Sequence, residues 1–163
     1  MKRVEVNDPI AIRQMQMGVR RYHEGDYNGA FEYLSKAAEL GEVGSHYELS
    51  NLYSLGQGVE RNKKKELHHL EEAAIGGHPT ARFNLGATEW NNCRIERAVK
   101  HWIIAASLGS DASVGWLKEG FKRRVISKED CAAALRAHQA TADDAKSPQR
   151  DEARKALRLP AVP

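Results

Sequence analysis

The sequence predicts an all-α fold, a right-handed α-solenoid of stacked antiparallel helix pairs, and three observations carry that prediction. Alanine outnumbers the β-branched residues, 22 Ala against 19 Val, Ile and Thr together in 163 residues. Alanine loses no side-chain entropy in a helix, whereas β-branched side chains lose rotamer freedom there, so the balance favours helices over strands. A pattern also recurs in Ala30 to Gly41, Glu66 to Gly77 and Ala98 to Gly109: a large apolar residue three before an Ala-Ala pair, and a glycine four after its first alanine. Finally, the closing glycines are 36 and 32 residues apart, a mean of 34, which is a period for helix-hairpin repeats.

The elements follow in chain order. An offset of 68 residues places Met17-Gly18 on Leu85-Gly86, Tyr22 on Trp90, Tyr27 on Ile95 and Ala30 on Ala98, with Leu49-Ser50 and Tyr53 between them. Each unit is therefore two helices of about a dozen residues joined by a short turn, over residues 9–41, 42–77 and 78–109. Asp8-Pro9 supplies an N-cap and a proline at the first helical position. Gly18, Ser50 and Gly86 are small where the first helix of a unit approaches the second, and Ala37, Ala73 and Ala105 are their counterparts. Leu34, Leu70 and Trp102 are expected to fill the space between units, and Gly41, Gly77 and Gly109 to stop the second helices at positive φ. Unit two has a longer turn, Leu55 to Asn62, with two glycines. A divergent pair covers 110–143: a helix from Ser113 to Arg124 with Val114, Leu117 and Phe121 at helical spacing, then an Ala-rich helix opened by a capping box at Ser127 to Asp130. Residues 1–8 are read as an N-terminal flank. Residues 144–163 are read as a capping helix, Gln149 to Leu157 after Ser147-Pro148, and a tail.

Composition excludes several classes. AVILMFWYC residues make up 41% and charged residues 29%, enough apolar material for a core, so general disorder is excluded. A net charge of +3 is too small to argue for nucleic acid. The first residues are charged where a signal peptide needs an apolar run, and the longest apolar stretch, Trp102 to Leu108, is too short for a bilayer. Cys93 and Cys131 are far apart, which suits a reducing compartment. A soluble monomer is expected, cytoplasmic or nucleocytoplasmic and not secreted, with no nucleic-acid or membrane partner.

Leu-Gly-x-x-Tyr, then Gly, then Ala, then Lys-Ala-Ala-x-x-Gly resembles the tetratricopeptide theme. The turn Gly56-Gln-Gly-Val59 before Glu66 to Ala74 makes the pattern more similar to the related Sel-1-like repeat, over Pro9 to Gly120 and more loosely to Ala145. Both ends of the chain are similar to microalgal Sel-1-like proteins, in some of which the array follows a RING zinc finger. This sequence has no Cys-x-x-Cys and, with two cysteines, no RING. Glu66, Cys93 and Ser50 depart from the pattern where alanine and glycines are usual.

Candidate chemistry is sparse. His69 and His101 hold equivalent positions in successive second helices, so they form a polar ladder with rungs about 10 Å apart, too far to share zinc. Cys131 follows an acidic residue in a helix and reads as buried and structural, while Cys93 sits in a turn beside Arg94 without an obvious base. The sequence lacks a nucleophile elbow, a P-loop and a dinucleotide fingerprint. Basic clusters at Arg61 with Lys63 to Lys65, at Arg94, Arg97 and Lys100, and at Lys122 to Arg124 are interrupted by acids and lack interleaved aromatics. No enzyme activity, metal or cofactor is expected.

The resemblance implies a concave face lined by the first helices of the units. The tetratricopeptide groove positions fall on Val19, Tyr22 and His23, on Asn51 and Ser54, and on Ala87, Trp90 and Asn91. Tyr22 and Trp90 serve equally as groove or inter-helix core, whereas the amides of Asn51 and Asn91 suit hydrogen bonding to a peptide backbone. The expected function is a non-catalytic scaffold or adaptor holding a protein or peptide in that groove. The alternatives are the substrate-recruiting arm of a ubiquitin-ligase-type assembly, which the RING-linked relatives suggest, and a thiol- or metal-dependent enzyme.

Overall fold

The computed structural model describes residues 8–145, and among them every regular element is a helix. The order is α1 (Pro9–His23), α2 (Tyr27–Glu39), α3 (Val43–Leu55), α4 (Lys63–Ile75), α5 (Pro79–Asn91), α6 (Ile95–Ser107), α7 (Asp111–Lys122) and α8 (Lys128–Ala145). Each helix packs on the next in sequence, and α8 also packs on α6. The result is an α-solenoid. No described helix is long and apolar enough to cross a membrane. Ser147-Pro148 and the helix expected over 149–157 lie outside the described residues, as does most of the N-terminal flank.

The Ala-Ala-x-x-Gly pattern is a backbone device. Gly41, Gly77 and Gly109 have φ of 84°, 90° and 90°. Their N–H groups donate to the second alanine of each pair, at 2.9 Å to Ala38, 3.1 Å to Ala74 and 2.9 Å to Ala106. The next residues, Glu42, His78 and Ser110, each donate to the first alanine at 3.0 Å. This is the Schellman arrangement, which satisfies the last carbonyls of a helix and turns the chain sharply. The same three residues then cap the following helix through their side chains, Glu42 to the N–H of Gly44 (3.0 Å), His78 Nδ1 to that of Ala81 (3.2 Å) and Ser110 Oγ to that of Ser113 (3.3 Å). One residue thus ends one helix and starts another, which keeps the turns short and the helices antiparallel. Asp8, Asp26 and Asn62 cap α1, α2 and α4 in the same way. Ser127 Oγ accepts from the N–H of Asp130 (3.0 Å) and donates to its carboxylate (2.8 Å) at the start of α8.

Within each unit, a small residue on the first helix admits a large one on the second. A Cβ on Gly18 would stand 2.6 Å from Leu34 Cγ, and one on Gly86 would overlap the Trp102 indole. In unit two Ser50 holds this place and folds its hydroxyl back onto the Tyr47 carbonyl at 2.7 Å, so a polar residue is buried without an orphaned donor. Leu34 and Trp102 therefore fill the gap inside a unit as well as that between units. The three buried clusters also cross from a second helix to the next first helix: Leu34 with Leu49 and Leu52, Leu70 with Ala81 and Leu85, and Trp102 with Val114 and Leu117. Stacking is what completes the core, as in other quasi-one-dimensional folds.

Two local details are set by packing between elements. Phe121, at helical spacing with Val114 and Leu117, is 43% exposed, because α7 turns Val114, Leu117 and Gly120 to the core and Ile126 occupies the space beside Gly120. His69 and His101 are both half-buried, and His69 has a partner that the sequence did not point to: it meets His46 of α3, Nδ1 to Nδ1 at 3.0 Å.

Candidate interaction surface

The first helices carry the residues expected to form a groove, and their burial differs. On α1, Val19 and Tyr22 are half-buried and His23 is exposed. Tyr22 packs on the Leu34 cluster and meets Tyr27 edge-on at 5.3 Å, while His23 lies edge-on to Tyr22 at 6.0 Å. On α3, Asn51 and Ser54 are half-buried, with Asn51 Nδ2 3.5 Å from Glu48 Oε2. On α5, Ala87 and Trp90 are half-buried and Asn91, the last helical residue, is exposed.

Trp90 packs against the core and is also partly exposed. Its ring lies 5.4 Å from that of Trp102 in the core and 6.3 Å from that of Trp116 on α7. Trp116 is itself 47% exposed. Trp102 and Trp116 also meet directly, at 5.6 Å, so the three indoles form one cluster that reaches from the interior of unit three to the surface of the divergent pair. Trp116 was not among the residues singled out from sequence. Its only signal is an aromatic at a position that the 3.6-residue spacing of Val114 and Leu117 sends outward.

The middle unit holds a cluster of imidazoles. The His69 ring stacks on Tyr53 at 5.6 Å and the His78 ring on Tyr47 at 4.4 Å. Burial pushes the pKa of His69 down to about 4, and the charges of His46, His68 and Lys65 act in the same direction. Burial likewise lowers His46, against the pull of Glu72, and His78, against that of Glu42. Neutral imidazoles are what this geometry requires, since the His46–His69 contact needs one ring nitrogen to accept and His78 Nδ1 must accept from Ala81. Among the described residues no group of three or more His, Cys, Asp or Glu is placed to hold a metal ion. Cys131 is buried and Cys93 exposed, both as free thiols.

The basic clusters are partly neutralised. Arg94 and Arg97 both pair with Glu89, whose side chain is only 13% exposed, and Lys63 pairs with Glu66 at 2.7 Å. These charges form local pairs, and the field around them is mixed in sign.

Helix pairs in tandem, each closed by the same glycine turn and each completing its neighbour's core, define a helical-repeat array of the solenoid class. A family model for the Sel1 repeat matches residues 14–42, 43–78 and 85–110, and the chain belongs to that family. Sel1 repeat proteins are generally protein-interaction scaffolds. No curated protein sequence matches the chain. Among solved structures it is similar to a Sel1 repeat protein from Oxalobacter formigenes, with a TM-score of 0.66 and 21% identity over 83% of this chain and 59% of that one. It is also similar to c5321, a protective antigen of uropathogenic Escherichia coli strains with an SLR fold, with a TM-score of 0.65 and 24% identity over 82% and 30% of the two chains. The cysteine-rich protein B of Helicobacter pylori aligns with a TM-score of 0.52 and 22% identity over 66% and 94%. The chain spans less than two thirds of the first two of these proteins, and at such identities the likeness concerns the fold alone.

Proposed function

We propose that this array is a non-catalytic scaffold that holds a peptide or protein along the surface of α1, α3 and α5, with Asn51, Asn91 and Trp90 as its main contacts. The observation that carries this reading is the exposure of aromatic and amide groups beside a core that is already complete. Trp90 and Asn51 are partly exposed, Asn91 is exposed at the end of α5, and Trp116 of α7, 47% exposed, adjoins Trp90. Large aromatic residues dominate the energetics of most interfaces, and amides suit an extended peptide backbone. Packing fixes the helices before any partner arrives, so little ordering cost falls on the scaffold itself.

The test is selection of peptides from a displayed random library on the purified chain, followed by affinity measurement on variants. Asn51→Ala combined with Asn91→Ala should weaken the selected peptides by about tenfold, or about 1.4 kcal/mol, while the melting temperature stays nearly unchanged. Failure to enrich any peptide, or equal affinity of the double variant, would overturn the reading. A parallel fall in stability would make these residues structural.

A further inference from the structure

On the side of α5 away from Trp90, the junction of α4, α5 and α6 forms an open cavity of about 260 Å³. Arg82 and Glu89 face it from α5, Arg94 and Arg97 from the start of α6, and His101 from one turn further on. Arg82 is anchored: its Nη2 donates to the Ala74 carbonyl at 2.7 Å, in the last turn of α4. Its Nε–H is buried with no partner, and so is Nδ1 of His101. An unmet buried donor costs on the order of 1–3 kcal/mol, so an acceptor delivered to this wall would be favoured. The cavity's ionised groups are three guanidiniums and the carboxylates of Glu71 and Glu89, which leaves one net positive charge.

We propose that this cavity binds a monocarboxylate on a small apolar body, with Arg82 and Arg97 taking the carboxylate and Leu67 and Leu85 the apolar part. Three features select that ligand. A guanidinium fork matches a carboxylate in geometry. A single net positive charge is neutralised by a monoanion, whereas a phosphate dianion would leave the site negative. The volume lies below the roughly 300–1,000 Å³ of sites for drug-sized molecules, so it suits one residue's worth of ligand. A free small organic acid and the last residue of a peptide share this chemistry. The site lies on the opposite side of α5 from Ala87 and Trp90, so it stands independently of the scaffold reading.

His101 reports on occupancy. Burial lowers its pKa, with Arg82 and Arg97 adding to the effect and Glu89 and Glu71 opposing it. A bound carboxylate offsets the two guanidiniums and must raise it.

The test is an NMR titration of the His101 imidazole in the full chain, with N-acetyl-leucine, N-acetyl-leucinamide and inorganic phosphate as probes. The acid should give a saturable shift and raise the His101 pKa by about half a unit or more, the amide should do neither, and phosphate should bind about tenfold more weakly. Arg97, 64% exposed, is the safer variant. Arg97→Ala should weaken the acid about fivefold at unchanged melting temperature, and Arg82→Gln should weaken it further if that variant folds. Acetyl-Gly-Gly-Leu against N-acetyl-leucine separates the sources: tighter binding of the tripeptide marks a chain end, and tighter binding of the amino acid a free metabolite. No saturable shift, equal shifts from acid and amide, tighter binding of phosphate, or an Arg97→Ala variant of full affinity would each overturn the proposal.

Discussion

Gly86 of α5 faces the indole of Trp102 with no room for a Cβ between them, and the Trp102 Nε1–H donates to the Phe83 carbonyl one turn earlier at 3.2 Å. The largest fully buried side chain among the described residues is thus seated on the backbone of the neighbouring helix. Gly86→Ala should overpack this contact and cost about 1–3 kcal/mol, because the indole is held by its hydrogen bond and by Trp90 and cannot simply rotate away. Thermal denaturation should show a melting temperature lower by roughly 2–4 °C for each kcal/mol. Gly18→Ala should cost less, since Leu34 is a flexible aliphatic side chain.

Cys93 occupies a glycine's place in the turn after α5. Its φ is 58°, and it makes the same Schellman bond to Trp90 that Gly109 makes to Ala106. An L-residue in this region costs about 1–2 kcal/mol, part of which glycine returns as unfolded-chain entropy. Cys93→Gly should therefore raise stability by about 0.5–1 kcal/mol, read as a higher urea midpoint at constant slope. An unchanged or lower midpoint would refute it.

Ala105 is fully buried beside Trp102 and supplies the carbonyl that Ser110 bonds at 3.0 Å. Ala105→Leu should destabilise by about 1–3 kcal/mol, because the extra carbons have no space and the helix end cannot move without losing that bond. A chemical denaturation curve that superimposes on the wild type would show the interior to be looser than its packing indicates.

Stability should decline as pH falls from about 6.5 towards 4. His46, His69 and His78 are held below the ordinary histidine value by burial, His69 at about 4, while in the unfolded chain they protonate near 6.5. Below pH 6.5 the unfolded state binds more protons, so acid favours it, and the loss stops once His69 also protonates in the folded state. The full contribution is present above pH 6.5. Urea midpoints at pH 7.5 and pH 5 should differ in that direction. His78→Asn should reduce the difference, because asparagine keeps the cap without titrating.

Much of the repeat architecture is written in local sequence. The three Ala-Ala-x-x-Gly segments can be read because each residue's job is set within six positions: a glycine for positive φ, two alanines whose carbonyls meet the turn, and a capping side chain. The same holds for Asp8-Pro9 and for Ser127 with Asp130. The exposure of Phe121 is not written there, because helical spacing does not say which of two possible stripes the last unit buries, and Ile126, from beyond the helix, decides it.

The sequence by itself determined the class of fold, the repeat period, and where most helices turn, since these follow from backbone preferences and short-range hydrogen bonds. Only the tertiary structure decided that His46 meets His69, that Trp90, Trp102 and Trp116 gather in one cluster, and that Arg82 and His101 open into one cavity. Those meetings depend on how far each helix is rotated about its axis against its neighbours, a quantity set by the summed packing of whole faces and carried by no single motif.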